Sequence, residues 1–304
     1  MNSFEFNGVM IDDTFAEAFP MKVVRIIITA ENQQWALNAA LSMTGFATSV
    51  IACGCEASIE SSLDSGLTPD KRPGVSVLIF SMSGRELAKQ LETRVGQCVL
   101  TCPTTSVFSG FEDGESINLS KNLRFFGDGW QISKMINEKR FWRIPTMDGE
   151  FLGEETAKLR KGVGGGNLLI LARDISCALS IALTGVEAIK KIPNVITPFP
   201  GGVVRSGSKV GSKYKSLPAS TNDKFCPALR NLVSDSQLSS EVGSVMEIVI
   251  DGVTEKDIYI AMRESMKAML DMGKSSGLIR LSAGNYGGKL GPFHFHLRKI
   301  FEEL

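Results

Sequence analysis

Residues 75–101 read VSVLIFSMSGRELAKQLETRVGQCVLT. The opening run, Val75–Ser81, is β-branched and aromatic and reads as a strand. Ser83 and Glu86 follow at capping-box spacing, so hydroxyl and carboxylate can each satisfy an orphan amide at a helix start. Leu87, Leu91 and Val95 recur every four residues, which lines them along one helical face. Gly96 is expected to stop the helix and Cys98–Thr101 to form the next strand. The stretch therefore predicts β-α-β.

Upstream, Val23–Ala30 reads as a strand. Glu31–Thr44 reads as a helix with Trp35, Ala39 and Met43 on one line and Gly45 past its end, and Thr48–Ala52 as another strand. The second half carries the same order: strand Asn167–Ala172, then helix Asp174–Lys191 with Ala178, Ala182, Val186 and Ile189 on one face and Pro193 closing it. Strands Val195–Pro198 and Val245–Ile250 follow, then a helix opened by a Thr254/Asp257 capping box and running to Met272, then strand Gly277–Ala283. Twice, the order is the split β-α-β, or ferredoxin-like, pattern. It predicts an α+β protein of two duplicated ferredoxin-like lobes. Between the halves, Pro103–Glu150 is rich in turn residues and aromatics, with Phe126–Trp130 (FGDGW) as a turn between short strands. The expected division is residues 1–148, with an inserted β arm at 103–148, and residues 149–304, with a basic Gly/Ser-rich insertion at 201–243.

Composition narrows the classes. A chain of 304 residues is long enough for about two cores. Its 33 basic and 33 acidic residues cancel, which argues against a general nucleic-acid or membrane binder. No apolar run reaches the roughly 18 residues of a membrane span, and the acidic start does not read as a signal peptide. Cys53, Cys55, Cys98, Cys102, Cys177 and Cys226 form no C-x-x-C pair and read as small hydrophobes of a reducing cytoplasm. With two histidines in the chain, a structural zinc is not expected.

Glu247 stands out in VMEIVI (245–250). Alternation puts it on one face with Val245 and Val249, in a strand apolar on both sides. A lone buried carboxyl there should have a raised pKa and suit general acid catalysis near neutrality. The alternatives are a structural ion pair or a frayed strand edge. Ala188–Asn222 contains no Asp or Glu but keeps Lys190, Lys191, Arg205, Lys209, Lys213 and Lys215. Its glycines and serines expose amides and hydroxyls beside these cations, as a phosphate or carboxylate site needs; the alternative is a solvated flexible loop. Lys161–Asn167 (KGVGGGN) precedes a strand, the wrong order for a dinucleotide loop, and reads as a tight turn. Ser282–Gly291 (SAGNYGGKLG) follows a strand and could form one wall of a cleft. His294 and His296 share a strand face, without an Asp or Cys nearby to complete a metal site.

These segments taken together resemble the formylmethanofuran:tetrahydromethanopterin N-formyltransferase family along nearly the whole chain. The matching stretches include Ile11–Phe19 (IDDTFAEAF), Thr44–Ile51 (TGFATSVI), Phe125–Gly129 (FFGDG), Gly165–Asn167 (GGN), Pro198–Gly202 (PFPGG), Arg205–Lys213 (RSGSKVGSK), Leu217–Asp223 (LPASTND), Glu247–Ile250 (EIVI) and Ser282–Gly291. The resemblance implies a cytoplasmic enzyme of one-carbon metabolism that moves a formyl group from formylmethanofuran to N5 of tetrahydromethanopterin, without a metal or permanent cofactor. It implies two ferredoxin-like lobes and a homodimer or homotetramer with the site in a cleft near a subunit interface. Some bacterial members are implied to work inside a formyltransferase/hydrolase complex. Glu247 matches the family's catalytic glutamate. The expected substrate-binding residues are Pro200, Gly201, Gly202, Arg205, Ser206, Lys209, Ser212 and Lys213 from the basic insertion, with Asn285, Gly287 and Lys289 from the last glycine loop. Rival readings are a non-catalytic structural component of such a complex and a ligand-sensing module.

Overall fold

The computed structural model of the protein describes residues 2–304. In the unit formed by residues 21–162, the elements are β1 (Phe15–Thr29), α1 (Gln33–Thr44), β2 (Glu56–Leu63), β3 (Gly74–Ser81), α2 (Gly84–Arg94) and β4 (Ser106–Ser109). The strands lie in the order β4-β1-β3-β2, each antiparallel to its neighbour. Helices α1 and α2 seat Ala36, Ala39, Met43, Leu87 and Leu91 on Val24, Ile26, Val77 and Ile79 of one sheet face. Burying each such Leu or Ile side chain contributes about 1.5–3 kcal/mol. In the arm, Ile132–Ile136 and Lys139–Thr146 form a hairpin whose turn residues, Asn137 and Glu138, both have positive φ (48° and 64°), as a tight two-residue turn requires.

The second unit contains the chain up to Pro20 and residues 163–304. Its elements are β5 (Thr156–Ala172), α3 (Ile175–Ile189), β6 (Val195–Ile196), β7 (Ser244–Gly252), α4 (Glu255–Asp271) and β8 (Leu278–Ser282). The order is β8-β5-β7-β6, again antiparallel throughout, and Val9–Asp12 adds a strand parallel to β8. The compact units differ from the expected division at 148/149 because the long strands β1 and β5 each supply residues to both. Helices α3 and α4 cover one face of this sheet with Ile181, Val186, Met262 and Met266 over Leu168, Ile170, Met246 and Ile248. Gly185 lets α3 approach closely: a Cβ there would meet Ser265 Oγ at 2.7 Å and Ile248 Cδ1 at 3.0 Å. The other face is covered by the insertion, with Leu238, Val242 and Phe225 on Leu169, Leu171 and Val245. So β7 is covered on both sides.

Four local expectations fail, each for a physical reason. The expected strand Thr48–Ala52 overlaps a helical turn, Val50–Cys53, opened by Ser49, whose hydroxyl accepts from the Ile51 amide at 3.3 Å. The strand comes later, as β2, in a polar sequence (EASIESSL) whose alternation is weak. Gly96 does not stop α2. The chain continues helically through Val95–Val99, because the spacing Leu87, Leu91, Val95, Val99 stays on one face and buries all four. Cys98–Thr101 is therefore not a strand, and β4 takes that place. Lys161–Asn167 is not a tight turn but part of β5, with a bulge between Val163 and Gly166 and Gly165 at φ +94°. The strand packs closely there: a Cβ on Gly166 would lie 2.5 Å from Ile258 Cγ2.

The two caps behave differently. Ser83 accepts from the Glu86 amide at 3.2 Å, but the Glu86 carboxylate takes the Gln90 amide side chain at 2.9 Å, so that box is half made. At α4 both halves form: the Asp257 amide donates to Thr254 Oγ1 (3.2 Å) and the Thr254 amide to Asp257 Oδ2 (3.0 Å). Thr254→Ala is expected to lower stability by about 1 kcal/mol, read as a lower denaturation midpoint at unchanged slope.

Candidate active site

The register of β5 against β7 sets the site. Glu247 pairs with Leu169 and Asn167 with Val249, so the Asn167 and Glu247 side chains rise on the same face, diagonal to one another. On its other side Glu247 forms a two-way backbone bridge with Val204 (2.7 and 2.9 Å). The chain reaches Val204 through the turn Pro200–Gly202, where Gly201 and Gly202 have φ of 63° and 80°. A Cβ on Gly202 would meet Val186 Cγ1 at 2.7 Å, so this turn packs tightly against α3 and lets the chain rejoin β7 in the same antiparallel sense, with Arg205 and Ser206 beside Glu247.

Glu247 is 7% exposed. Its Oε1 accepts from Asn167 Nδ2 at 2.8 Å, while Asn167 Oδ1 accepts from the Gly284 amide at 2.8 Å. The backbone donor fixes which end of the Asn167 amide faces the carboxyl. Gly284 must be glycine, since a Cβ would lie 2.4 Å from Asn167 Nδ2. Burial pushes the Glu247 carboxyl up to about 7, and the Asn167 hydrogen bond pulls the other way. No cation lowers it. The second oxygen, Oε2, has no hydrogen-bond partner among the described residues, and Glu247 lines a pocket with Arg205, Ser206, Gly207, Asn222, Phe225 and Cys226. Asn222 and Phe225 also line a neighbouring pocket of about 180 Å³, walled by Lys209, Lys224, Gln237, Asn285 and Tyr286.

The wall carrying Asn285 and Tyr286 is pinned by a second buried carboxyl. Glu17, wholly buried on β1, accepts from the amides of Tyr286, Gly288 (2.7 Å) and Leu290 (2.8 Å). Burial pushes its pKa up, but the three amides, helped by His294, outweigh it and hold Glu17 below the ordinary carboxylate range. Asn285 bonds Thr14 Oγ1 at 3.2 Å and accepts from the Gly287 amide at 2.9 Å. The Tyr286 hydroxyl donates to Ser208 O at 3.0 Å, and burial with the nearby Glu247 and Glu17 carboxyls keeps the phenol neutral well above its usual range.

The basic stretch is a hairpin, Ser208–Val210 against Ala219–Thr221, rather than a loose loop. Lys209 is spent on Asp223 (2.5 Å), an acid just beyond the acid-free window, and Lys224 on Asp235 (2.6 Å). Arg205, Lys213 and Lys289 are exposed and carry no ion pair among the described residues. Ser212 Oγ accepts from the Tyr214 amide inside its own turn. The fold thus brings Glu247, Arg205 and Ser206 to one pocket and Lys209 and Asn285 to the next. Lys213, Gly287 and Lys289 line neither, and Pro200–Gly202 shape the chain. Residues not singled out from sequence are Asn167, Glu17, Gly284 and Tyr286. The signal existed, as a polar residue in an otherwise apolar strand (GGNLLILA) and a Glu among alanines (FAEAF). His294 and His296 flank the Phe15 ring, at 4.7 and 5.0 Å. Among the described residues no group of three or more His, Cys, Asp or Glu could hold a metal ion, and no helix is long and apolar enough to cross a membrane.

An α+β chain with a buried carboxyl poised near neutrality on a polar pocket has the equipment of an enzyme that works by proton donation. The chain belongs to the formylmethanofuran-tetrahydromethanopterin formyltransferase family: that family's profile matches residues 4–146 and its proximal-lobe profile residues 149–300. It is 64% identical over 294 residues to the formylmethanofuran–tetrahydromethanopterin formyltransferase of Methylococcus capsulatus, covering 97% of this chain and 98% of that one. It is 45% identical over 299 residues to the Methanosarcina barkeri protein of the same name, covering 98% of this chain and 100% of that one. Among solved structures, a chain of the formyltransferase/hydrolase complex from Methylorubrum extorquens, in complex with methylofuran, superposes with a TM-score of 0.96 at 48% identity, covering 98% of this chain and 99% of that one. The M. barkeri formyltransferase gives 0.92 at 44%, covering 98% and 100%.

Glu17→Ala strands three amides and is expected to cost about 3 kcal/mol or more, with hydrogen-exchange protection lost first at Tyr286, Gly288 and Leu290. Because the folded pKa of Glu17 is depressed, its contribution is fully present above the ordinary carboxylate range and is lost as pH falls below that range through the depressed folded value. The variant should therefore show a weaker acid-side loss of stability than the parent.

Proposed function

We propose that this chain reversibly transfers a formyl group from formylmethanofuran to N5 of tetrahydromethanopterin, with neutral Glu247 as the acid. The observation that carries the reading is a buried carboxyl near pKa 7 with one oxygen tied to Asn167 and the other unpartnered on the pocket. Membership of the formyltransferase family supports the reaction and the two carriers. The acceptor amine attacks the formyl carbon and the carbonyl π pair moves to oxygen. Glu247 donates its proton to that oxygen as charge develops, where a preorganised donor gains most. On collapse the C–O double bond re-forms and the proton returns to Glu247. The proton lost from the attacking nitrogen accounts for the one gained by the leaving amine. Much of the remaining acceleration comes from holding two large carriers in attack geometry.

The unpaired, exposed cations Arg205, Lys213 and Lys289 suit the carboxylate or phosphate tails of the carriers. Lys209 is partly neutralised by Asp223 and serves mainly to brace the hairpin. Ser206 and Asn285 offer neutral donors, Gly287 gives its amide to Asn285 Oδ1 and so shapes the loop, and Ser212 holds the Lys213 turn. The two lobes read as duplicated ferredoxin-like units, divided by descent at 148/149. The equal strand orders β4-β1-β3-β2 and β8-β5-β7-β6 support the duplication, and the two family profiles meet at that boundary. The enzyme is read as cytoplasmic and as a homodimer or homotetramer. A Methylorubrum extorquens relative, 48% identical, is named as one component of a formyltransferase/hydrolase complex, which supports the alternative that this chain works inside such an assembly.

Glu247→Gln is expected to lower kcat by roughly 100-fold or more with KM for both carriers nearly unchanged. The parent rate should fall on the alkaline side with an apparent pKa of about 7, and that limb should vanish in the variant. Near-normal turnover by Glu247→Gln would remove Glu247 from the chemistry. Arg205→Ala and Lys213→Ala are each expected to raise KM by roughly two- to fivefold, an effect that shrinks with added salt. Lys209→Ala should instead lower stability.

A further inference from the structure

We infer that Asn167 is the positioning residue for Glu247: its amide, held by the Gly284 N–H, selects which carboxyl oxygen stays free to meet the substrate. The inference rests on the reading of Glu247 as the acid, and its support is geometric. Asn167 is 4% exposed and uses both ends of its amide, Oδ1 on the Gly284 amide and Nδ2 on Glu247 Oε1, each at 2.8 Å. Reversing the amide would point Nδ2 at a backbone N–H and Oδ1 at the carboxyl, leaving two donors face to face. So one rotamer is enforced. Oε1 is then occupied as an acceptor, and a proton on the neutral carboxyl sits on Oε2, the oxygen without a protein partner. Gly284 is the keystone of this arrangement, because any side chain there strikes Asn167 Nδ2 at 2.4 Å.

The same bond tunes ionisation. A donor to a carboxylate favours its charged form, so Asn167 restrains a rise that burial would otherwise carry further. The other groups facing Glu247 are Tyr286, a neutral phenol on the far wall, and Arg205 and Cys226 of the insertion. Without Asn167 the carboxyl would be a weaker acid and free to rotate, with either oxygen able to carry the proton.

The test is an infrared titration of the Glu247 carboxyl, taken as the difference between each Asn167 variant with Glu247 intact and the same variant carrying Glu247→Gln, alongside pH profiles of kcat. In the parent the midpoint is expected at about 7. In Asn167→Leu it should move upward by about one pH unit. The alkaline limb of kcat should move with it, while kcat falls and KM for both carriers holds. Asn167→Ser, smaller and too short to reach Glu247, carries the same expectation and serves if the leucine variant does not fold. Gly284→Ala, which displaces the Asn167 amide without removing it, should shift the midpoint in the same direction. A folded Asn167 variant whose midpoint stays at the parent value overturns the inference. Full activity of Glu247→Gln would instead overturn the acid assignment, and the infrared midpoints would still report on Asn167.

Discussion

A carboxyl group sealed under a covered sheet must find donors or give up its charge. That constraint organises the C-terminal unit. Helices α3 and α4 close one face of β5-β7-β8, and the insertion closes the other with Leu238, Val242 and Phe225. Glu247 lies under the second cover. Had the insertion been a solvated loop, the carboxyl would ionise at an ordinary pH and have no proton to give near neutrality.

Glu17 and Glu247 show how narrowly the balance is set. Both are buried, in the same unit, and neither forms a salt bridge among the described residues. Glu17 receives three backbone amides and stays ionised. Glu247 receives one side-chain amide and sits near neutrality. At Glu17 three backbone amides and His294 outweigh burial, whereas at Glu247 one side-chain amide does not, since each charge-assisted hydrogen bond offsets only part of the desolvation cost. The two jobs are linked through one loop. Glu17 holds the amides of Tyr286, Gly288 and Leu290, and the same segment presents the Gly284 amide that turns Asn167. A fixed anion thus shapes the wall against which a neutral acid is aimed.

Much of this was legible in the sequence where a signal is local. The Thr254/Asp257 box, the periodic lines of α2 and α3, and the placement of Glu247 on a doubly covered strand all follow from neighbours within a few residues. The failures were also local. At Val95–Val99 the four-residue spacing outlasted Gly96, because a glycine without positive φ costs a helix only about 1 kcal/mol, which burial of Val99, the next residue in the line, offsets. At Thr48–Ala52 a β-branched run gave way to a Ser49-capped turn, while the true strand, β2, was masked by its polar edge-strand composition. The hairpin at Ser208–Thr221 looked like a loop because its glycines and lysines hid a short ladder.

The sequence by itself determined which segments are strands and helices over most of the chain, that one glutamate sits in an apolar strand, and that acids are withheld from Ala188–Asn222. It also carried, in separate motifs, the stretches that mark the formyltransferase family. What only the tertiary structure decided is the chemistry those residues can perform. Asn167 and Glu247 are 80 positions apart, and Gly284 lies 117 from Asn167; their contact depends on strand register and on where a remote loop closes. Ionisation and proton placement follow from the donors within a hydrogen bond's reach, and those donors arrive from segments that share no local pattern.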